Sequence, residues 1–152
     1  MDEIEEYIAA NYSKTAALQL AYVLSQQSHK IPHLLQVIYK EEEPTSRIAA
    51  WYLSTLFDLY PQLLYAYIDE MVWQLKQVKS QAILRALLRT ISRSKKIQEK
   101  HHGFLIQFSV DCILSSRTEA AVKLFSLELF YQIAKIQPVL FDELEYMIDN
   151  IY

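Results

Sequence analysis

Arg85, Arg89 and Arg93 fall at i, i+4 and i+8, a spacing that lines three guanidinium groups along one stripe of a helix. Each guanidinium offers a planar fork to an oxyanion, so the stripe could grip carboxylates or phosphates over about 12 Å, at 1.5 Å of rise per residue. The surrounding segment 79–102 holds seven basic residues (Lys79, the three arginines, Lys95, Lys96, Lys100) and one acid, Glu99, a local charge of +6. The whole chain carries -3, so the remainder carries -9. The competing reading of the stripe is a solvated outer face, partly neutralised by acids of neighbouring elements, as charge runs commonly are.

Trp73 is the second residue of interest. By helical phase it lies opposite Leu64, Ile68 and Met71 and on the side of Gln62, Asp69 and Gln77. A tryptophan on a polar arc can anchor a partner; it can also wedge between packed helices, and the wedge is expected here because large aromatics so often serve packing. Metal chemistry finds less support. Glu99 and His102 have the i, i+3 spacing used twice in di-iron bundles, but the pair occurs once, in a polar connector read as solvated. His29 and His33 are four apart with Pro32 between them, which interrupts the helix that would align them as zinc ligands. Asp142, Glu145 and Asp149 share a helix face with no histidine beside them, and that face is read as wet. No cofactor is implied.

A single glycine, Gly103, removes several classes of function at once. Phosphate-cradling loops, dinucleotide fingerprints and nucleophile elbows each need several glycines, where backbone turns through positive φ or approaches a ligand closely. Cys112 is the only cysteine, so an internal disulfide or multi-cysteine metal site cannot form, and a buried, inert thiol is expected. Apolar runs such as Leu63–Ile68 fall far short of the ~20 residues of a membrane span. The acidic start Met1–Glu6 lacks the basic region of a signal peptide. The chain is therefore read as soluble and cytoplasmic.

These residues must be positioned by helices. Hydrophobic residues make up 52% of the 152 residues and no Asn-Gly or Asp-Gly pair is present, so hairpin turns are missing while helical periodicity recurs almost throughout. Leu64, Ile68, Met71 and Leu75 share a face, as do Leu84, Leu87, Leu88 and Ile91, and Leu140, Leu144, Met147 and Ile151. Asp2 with Glu5, and Ser116 with Glu119, have capping-box spacing. Pro32, Pro61 and Pro138 suit first helical turns, where a missing N–H leaves no bond unmade. Nine helices are predicted, over roughly 2–10, 14–27, 32–40, 46–60, 61–77, 80–93, 98–114, 118–136 and 138–151, within one domain, 1–152, whose first helix caps the stack.

The helices pair, and the pairs repeat. Ser13-Lys14, Ser46-Arg47 and Ser80-Gln81 each open a helix, followed by Ala17, Ala50 or Leu84 and then by Leu20, Leu53 or Leu87; Val122-Lys123, Ser126 and Leu129 repeat the pattern. The leucines are spaced 33, 34 and 42 residues apart, periods typical of helical-hairpin solenoids, in which neighbours must stack to bury each unit's apolar stripes. The block Ser46-Arg47-Ile48-Ala49-Ala50-Trp51-Tyr52-Leu53, with Tyr60-Pro61-Gln62-Leu63-Leu64 and Tyr67-Ile68-Asp69-Glu70-Met71, resembles a HEAT repeat. The unit from Val122-Lys123 through Gln137-Pro138-Val139-Leu140 does so too. The resemblance, over about 13–152, implies an all-α, right-handed superhelix of about four hairpins. It also implies protein binding on a concave face lined by second helices, and no enzyme.

Helical-repeat DNA glycosylases for alkylated bases resemble this architecture and use a tryptophan with a carboxylate, which is the arrangement of Asp69 and Trp73 one turn apart. A pI of about 5.8 and a basic footprint confined to one helix and its connector disfavour nucleic acid. The sequence is thus read as a non-enzymatic protein-interaction or scaffold module whose partner is a protein or acidic peptide, with no membrane. Arg85, Arg89, Arg93, Trp73 and Asp69 are the candidate binding residues. The alternative is a nucleic-acid or phosphate-binding helical-repeat protein.

Overall fold

The computed structural model describes residues 2–149; Ile151 and the expected end of the last helix lie outside them. Nine α-helices occur among these residues: α1 (Glu3–Ala10), α2 (Lys14–Gln26), α3 (Ile31–Tyr39), α4 (Thr45–Leu59), α5 (Ile68–Leu75), α6 (Gln81–Ser94), α7 (His102–Leu114), α8 (Ala120–Ala134) and α9 (Phe141–Asp149). The described residues are 81% helical, 3₁₀ segments included, with no strand among them. The first helices of the four hairpins, α2, α4, α6 and α8, stack in sequence, whereas α3, α5 and α7 each pack chiefly on the first helix of the following hairpin. The result is an α-superhelix, with α1 lying against α3 and α4.

The repeat phase read from the sequence is the phase of the core. Leu20, Leu53, Leu87 and Leu129 are all buried, as are Ala17, Ala50, Leu84 and Ser126 one turn earlier. Ala17, Ala50 and Ser126 at that turn, together with Ala16, Ala21, Ala49 and Ala86, let the first helices approach closely. One continuous core runs from Ile4 to Ile133, and a smaller cluster of Ile113, Phe130, Ala134, Leu144 and Met147 joins α7, α8 and α9.

Every second helix is entered through a 3₁₀ segment, at Ser28–Lys30, Pro61–Tyr67, Glu99–His101 and Pro138–Leu140. The expected continuous helix over 61–77 is therefore seven residues of 3₁₀ followed by the short α5. Periodicity could not separate the two, because 3.0 and 3.6 residues per turn diverge by less than about half a turn over such a length.

The helix starts agree in part. Ser13 and Ser80 accept from the backbone N–H groups of Ala16 and Ile83 at 3.0 and 3.4 Å. Asp2 accepts from Glu5 N at 2.9 Å, while the Glu5 carboxylate, instead of closing the box, takes Lys40 Nζ at 2.5 Å and holds that ammonium above its ordinary pKa. Ser46 does not open α4. It is buried in the first turn, where its hydroxyl donates to Val37 O at 2.6 Å and accepts from Glu42 N at 2.8 Å, fastening the α3–α4 loop. Nor do Ser116 and Glu119 form a capping box: α8 starts at Ala120, and Glu119 N donates to Gln81 Oε1 of α6 at 3.1 Å. Similarly, Lys79 N and Ser80 N donate to Glu41 Oε1 at 2.9 and 2.8 Å. Side chains from the preceding repeat thus satisfy donors that local caps were expected to satisfy.

Candidate functional site

The three arginines share one side of α6 as expected, but each has a different environment: Arg85 and Arg93 are exposed, while the Arg89 side chain is mostly buried. The Nη2 of Arg89 donates to both oxygens of Asp58 on α4, at 2.7 and 3.0 Å. Arg93 makes a two-pronged pair with Glu128 on α8, Nε and Nη2 each at 3.2 Å, and its guanidinium lies 5.1 Å from the Phe125 ring centroid. Two of the three forks therefore join adjacent repeats. Arg93 and Glu128 are both partly exposed, so their pair is worth about 0–1 kcal/mol; the Arg89 side chain is mostly buried and Asp58 partly exposed, and both pairs hold side chains in place. Arg85 is exposed and has no ion pair among the described residues.

Arg85 stands at a groove of about 510 Å³ across α4 and α6, with Tyr12, Arg47, Trp51, Thr55 and Phe125 also at its walls and the Arg89–Asp58 pair beside them. Tyr12 meets Trp51 edge-on at 5.7 Å, and Trp51 meets Tyr52 at 5.6 Å. The Tyr52 hydroxyl in turn donates to Asn11 O, tying the rings to the α1–α2 turn. The hollow is lined by the first helices α4, α6 and α8 and by Tyr12 of the α1–α2 turn. Trp51, Tyr12 and Arg47 were not singled out from the sequence. Repeat arithmetic could have found Trp51, which precedes Arg85 by 34 residues, one repeat, and so must lie beside it on the adjacent first helix.

Trp73 is not a wedge. It is 60% exposed, because the chief neighbours of α5 are α6 and the preceding 3₁₀ segment, both served by the opposite face of Ile68, Met71 and Leu75. Lys76 Nζ lies 4.4 Å from its ring centroid and 4.8 Å from that of Phe104. Asp69 is one turn away but engaged: His101 Nε2 lies 2.7 Å from Oδ1, Gln98 Nε2 donates to Oδ2 at 3.1 Å, and Lys100 Nζ is 3.9 Å from Oδ2. Such a carboxylate holds the α6–α7 connector against α5. Trp73→Ala is expected to change unfolding free energy by less than about 0.5 kcal/mol, as at exposed positions generally; a loss above 2 kcal/mol in urea unfolding would contradict this placement.

The remaining candidates are dispersed. His102 is not in a solvated loop: the connector winds through a 3₁₀ turn into α7, so His102 is 5% exposed, its Nδ1 accepting from Gln137 Nε2 at 2.9 Å. His33 Nδ1 lies 3.7 Å from Asp2 Oδ2. Asp142, Glu145 and Asp149 are exposed on α9. Among the described residues, no group of three or more His, Cys, Asp or Glu side chains could hold a metal ion. Cys112 is half-buried, and burial raises its thiol pKa, which disfavours the nucleophilic thiolate. No described helix is long and apolar enough to cross a membrane.

A family model described as a HEAT repeat domain matches residues 4–152. No curated protein and no solved structure matches the chain.

Proposed function

The chain belongs to the HEAT repeat family, whose members generally mediate protein–protein interaction or scaffolding, and on that premise we propose that it is a non-enzymatic module that binds an extended acidic protein segment in the groove across α4 and α6. The observation that carries this reading is the pairing of exposed aromatics with an unmatched cation. Trp51 and Tyr12 offer flat apolar surface, and Arg85 beside them makes no ion pair among the described residues. Aromatic and arginine side chains are the residues that most often dominate binding energy. The Arg89–Asp58 and Arg93–Glu128 pairs keep the neighbouring side chains in fixed rotamers, which lowers the entropy lost on binding.

The same pairs count against duplex DNA. Two of the three guanidinium groups on the stripe already have carboxylate partners, so few phosphates could be neutralised without breaking them. Any duplex affinity should show a slope of about 3 or less in log affinity against log salt.

The test is anisotropy of labelled acidic, neutral and basic peptides. Acidic peptides should bind best, and Arg85→Glu should weaken them at least tenfold, about 1.4 kcal/mol, with unfolding unchanged. Equal binding of all three peptide classes, or full affinity in Arg85→Glu, would remove the proposal.

A further inference from the structure

A second cleft, of about 300 Å³, lies between α5 and the start of α7, lined by Val72, Trp73, Lys76, Lys100, His101 and Phe104. Its chemistry differs from that of the groove. Lys76 has no carboxylate partner among the described residues; its ammonium is held instead against two rings, 4.4 Å from Trp73 and 4.8 Å from Phe104. That fixes a side chain which would otherwise lose rotamer freedom on binding an anion. Lys100 reaches the same cleft with its side chain 63% exposed, only loosely associated with Asp69 at 3.9 Å. Asp69 is the acid associated with Lys100, and His101 and Gln98 already occupy its oxygens. Lys96, 5.5 Å from the Tyr65 ring, adds positive charge on the neighbouring connector. Beside these cations stands the 60% exposed indole of Trp73.

We propose that this cleft binds a nucleotide unit, with the base against the exposed part of the Trp73 indole that Lys76 leaves uncovered and the phosphate held by Lys76 and Lys100. Two ammonium groups bordering one opening suit a compact dianion, and an exposed indole suits a planar ring, since base–aromatic stacking needs no particular base. The volume sits at the small end of sites for discrete ligands, roughly 300–1,000 Å³. The unit could be a free mononucleotide or one residue of a single strand. Asp69 takes no part in chemistry here, because its oxygens are engaged in positioning His101 and Gln98.

The test uses the intact chain and its two tryptophans, whose indole N–H resonances are assigned with Trp73→Phe. Adenosine monophosphate, inorganic phosphate, single-stranded oligothymidylate and a short acidic peptide are titrated separately. The expected result is a saturable shift of the Trp73 resonance by the mononucleotide or the oligomer, with Trp51 unmoved as internal control. Lys76→Gln with Lys100→Gln should raise the Kd at least tenfold, while Arg85→Glu leaves it unchanged, which separates this site from the groove. Equal affinity per unit for mononucleotide and oligomer identifies a free nucleotide as the source; a much tighter, more salt-sensitive oligomer identifies a single strand. No saturation by 10 mM, phosphate shifting the Trp73 resonance as tightly as the nucleotide does, a tighter response of that resonance to the acidic peptide than to the nucleotide, or affinity unaltered in the lysine variants overturns the proposal.

Discussion

Leu53→Ala and Leu87→Ala should each lower the free energy of unfolding by about 2–5 kcal/mol, the range for truncating a leucine in a packed core. Both side chains are fully buried, and each sits at the same phase of a first helix, Leu53 on α4 and Leu87 on α6. Those two helices are flanked on both sides, α4 by α2 and α6, and α6 by α4 and α8. The walls of either cavity belong to stacked helices that cannot collapse inward without breaking the register of the repeats, so the expected values lie in the upper part of the range. Leu20, equivalent in phase but on the outer α2 and slightly exposed, should cost less. Urea unfolding of the three variants is the measurement. Losses below about 1 kcal/mol at both Leu53 and Leu87 would show that the repeat phase is wrong.

Phe130→Ala should cost about 3–5 kcal/mol, the usual range for deleting a buried large aromatic, and its effect should be local. Phe130 is fully buried on α8 in the small cluster that also holds Ile113 of α7 and Leu144 and Met147 of α9. In a stack stabilised by nearest neighbours, removing the centre of a terminal cluster uncouples the end unit before the rest. Hydrogen exchange should therefore accelerate in α9 and the adjoining part of α7 while amides of α2, α4 and α6 keep their protection, the pattern of sub-global opening. Uniform loss of protection along the chain would instead mean that the two clusters unfold as one.

The positions of the two clusters were legible to different degrees. Leu20, Leu53, Leu87 and Leu129 repeat at intervals close to the length of a helical hairpin, so their common burial follows from the requirement that each hairpin hide its stripe against the next. Phe130 follows Leu129 directly and is buried against α7 and α9. Repeat spacing aligns it with Ala21 and Leu88, which are also buried, but does not show that it belongs to a separate cluster with α7 and α9.

The candidate surfaces divide in the same way. That Arg85, Arg89 and Arg93 share one face is a consequence of 3.6 residues per turn and needed no structure. Which of them is free is a matter of what stands on α4 and α8. Asp58 and Glu128 lie 31 and 35 residues from their partners, close to one repeat, but only the stagger of the packed helices brings Asp58 to Arg89 and Glu128 to Arg93 while leaving Arg85 unmatched. Trp73 was misjudged for the same reason: helical phase placed it away from Leu64 and Ile68, but not whether another helix stood there.

The sequence by itself determined the helical class, the repeat and the leucine core, because periodicity and hairpin length are local properties written along one chain. Only the tertiary structure shows the 3₁₀ entries, the Glu41 and Gln81 side chains that accept from the backbone just before α6 and α8, and the groove lined by first helices, where Arg85 has no ion pair among the described residues. Each of these depends on the offset between neighbouring repeats, and that offset is set by how small residues such as Ala50 and Ala86 let one helix settle on the next.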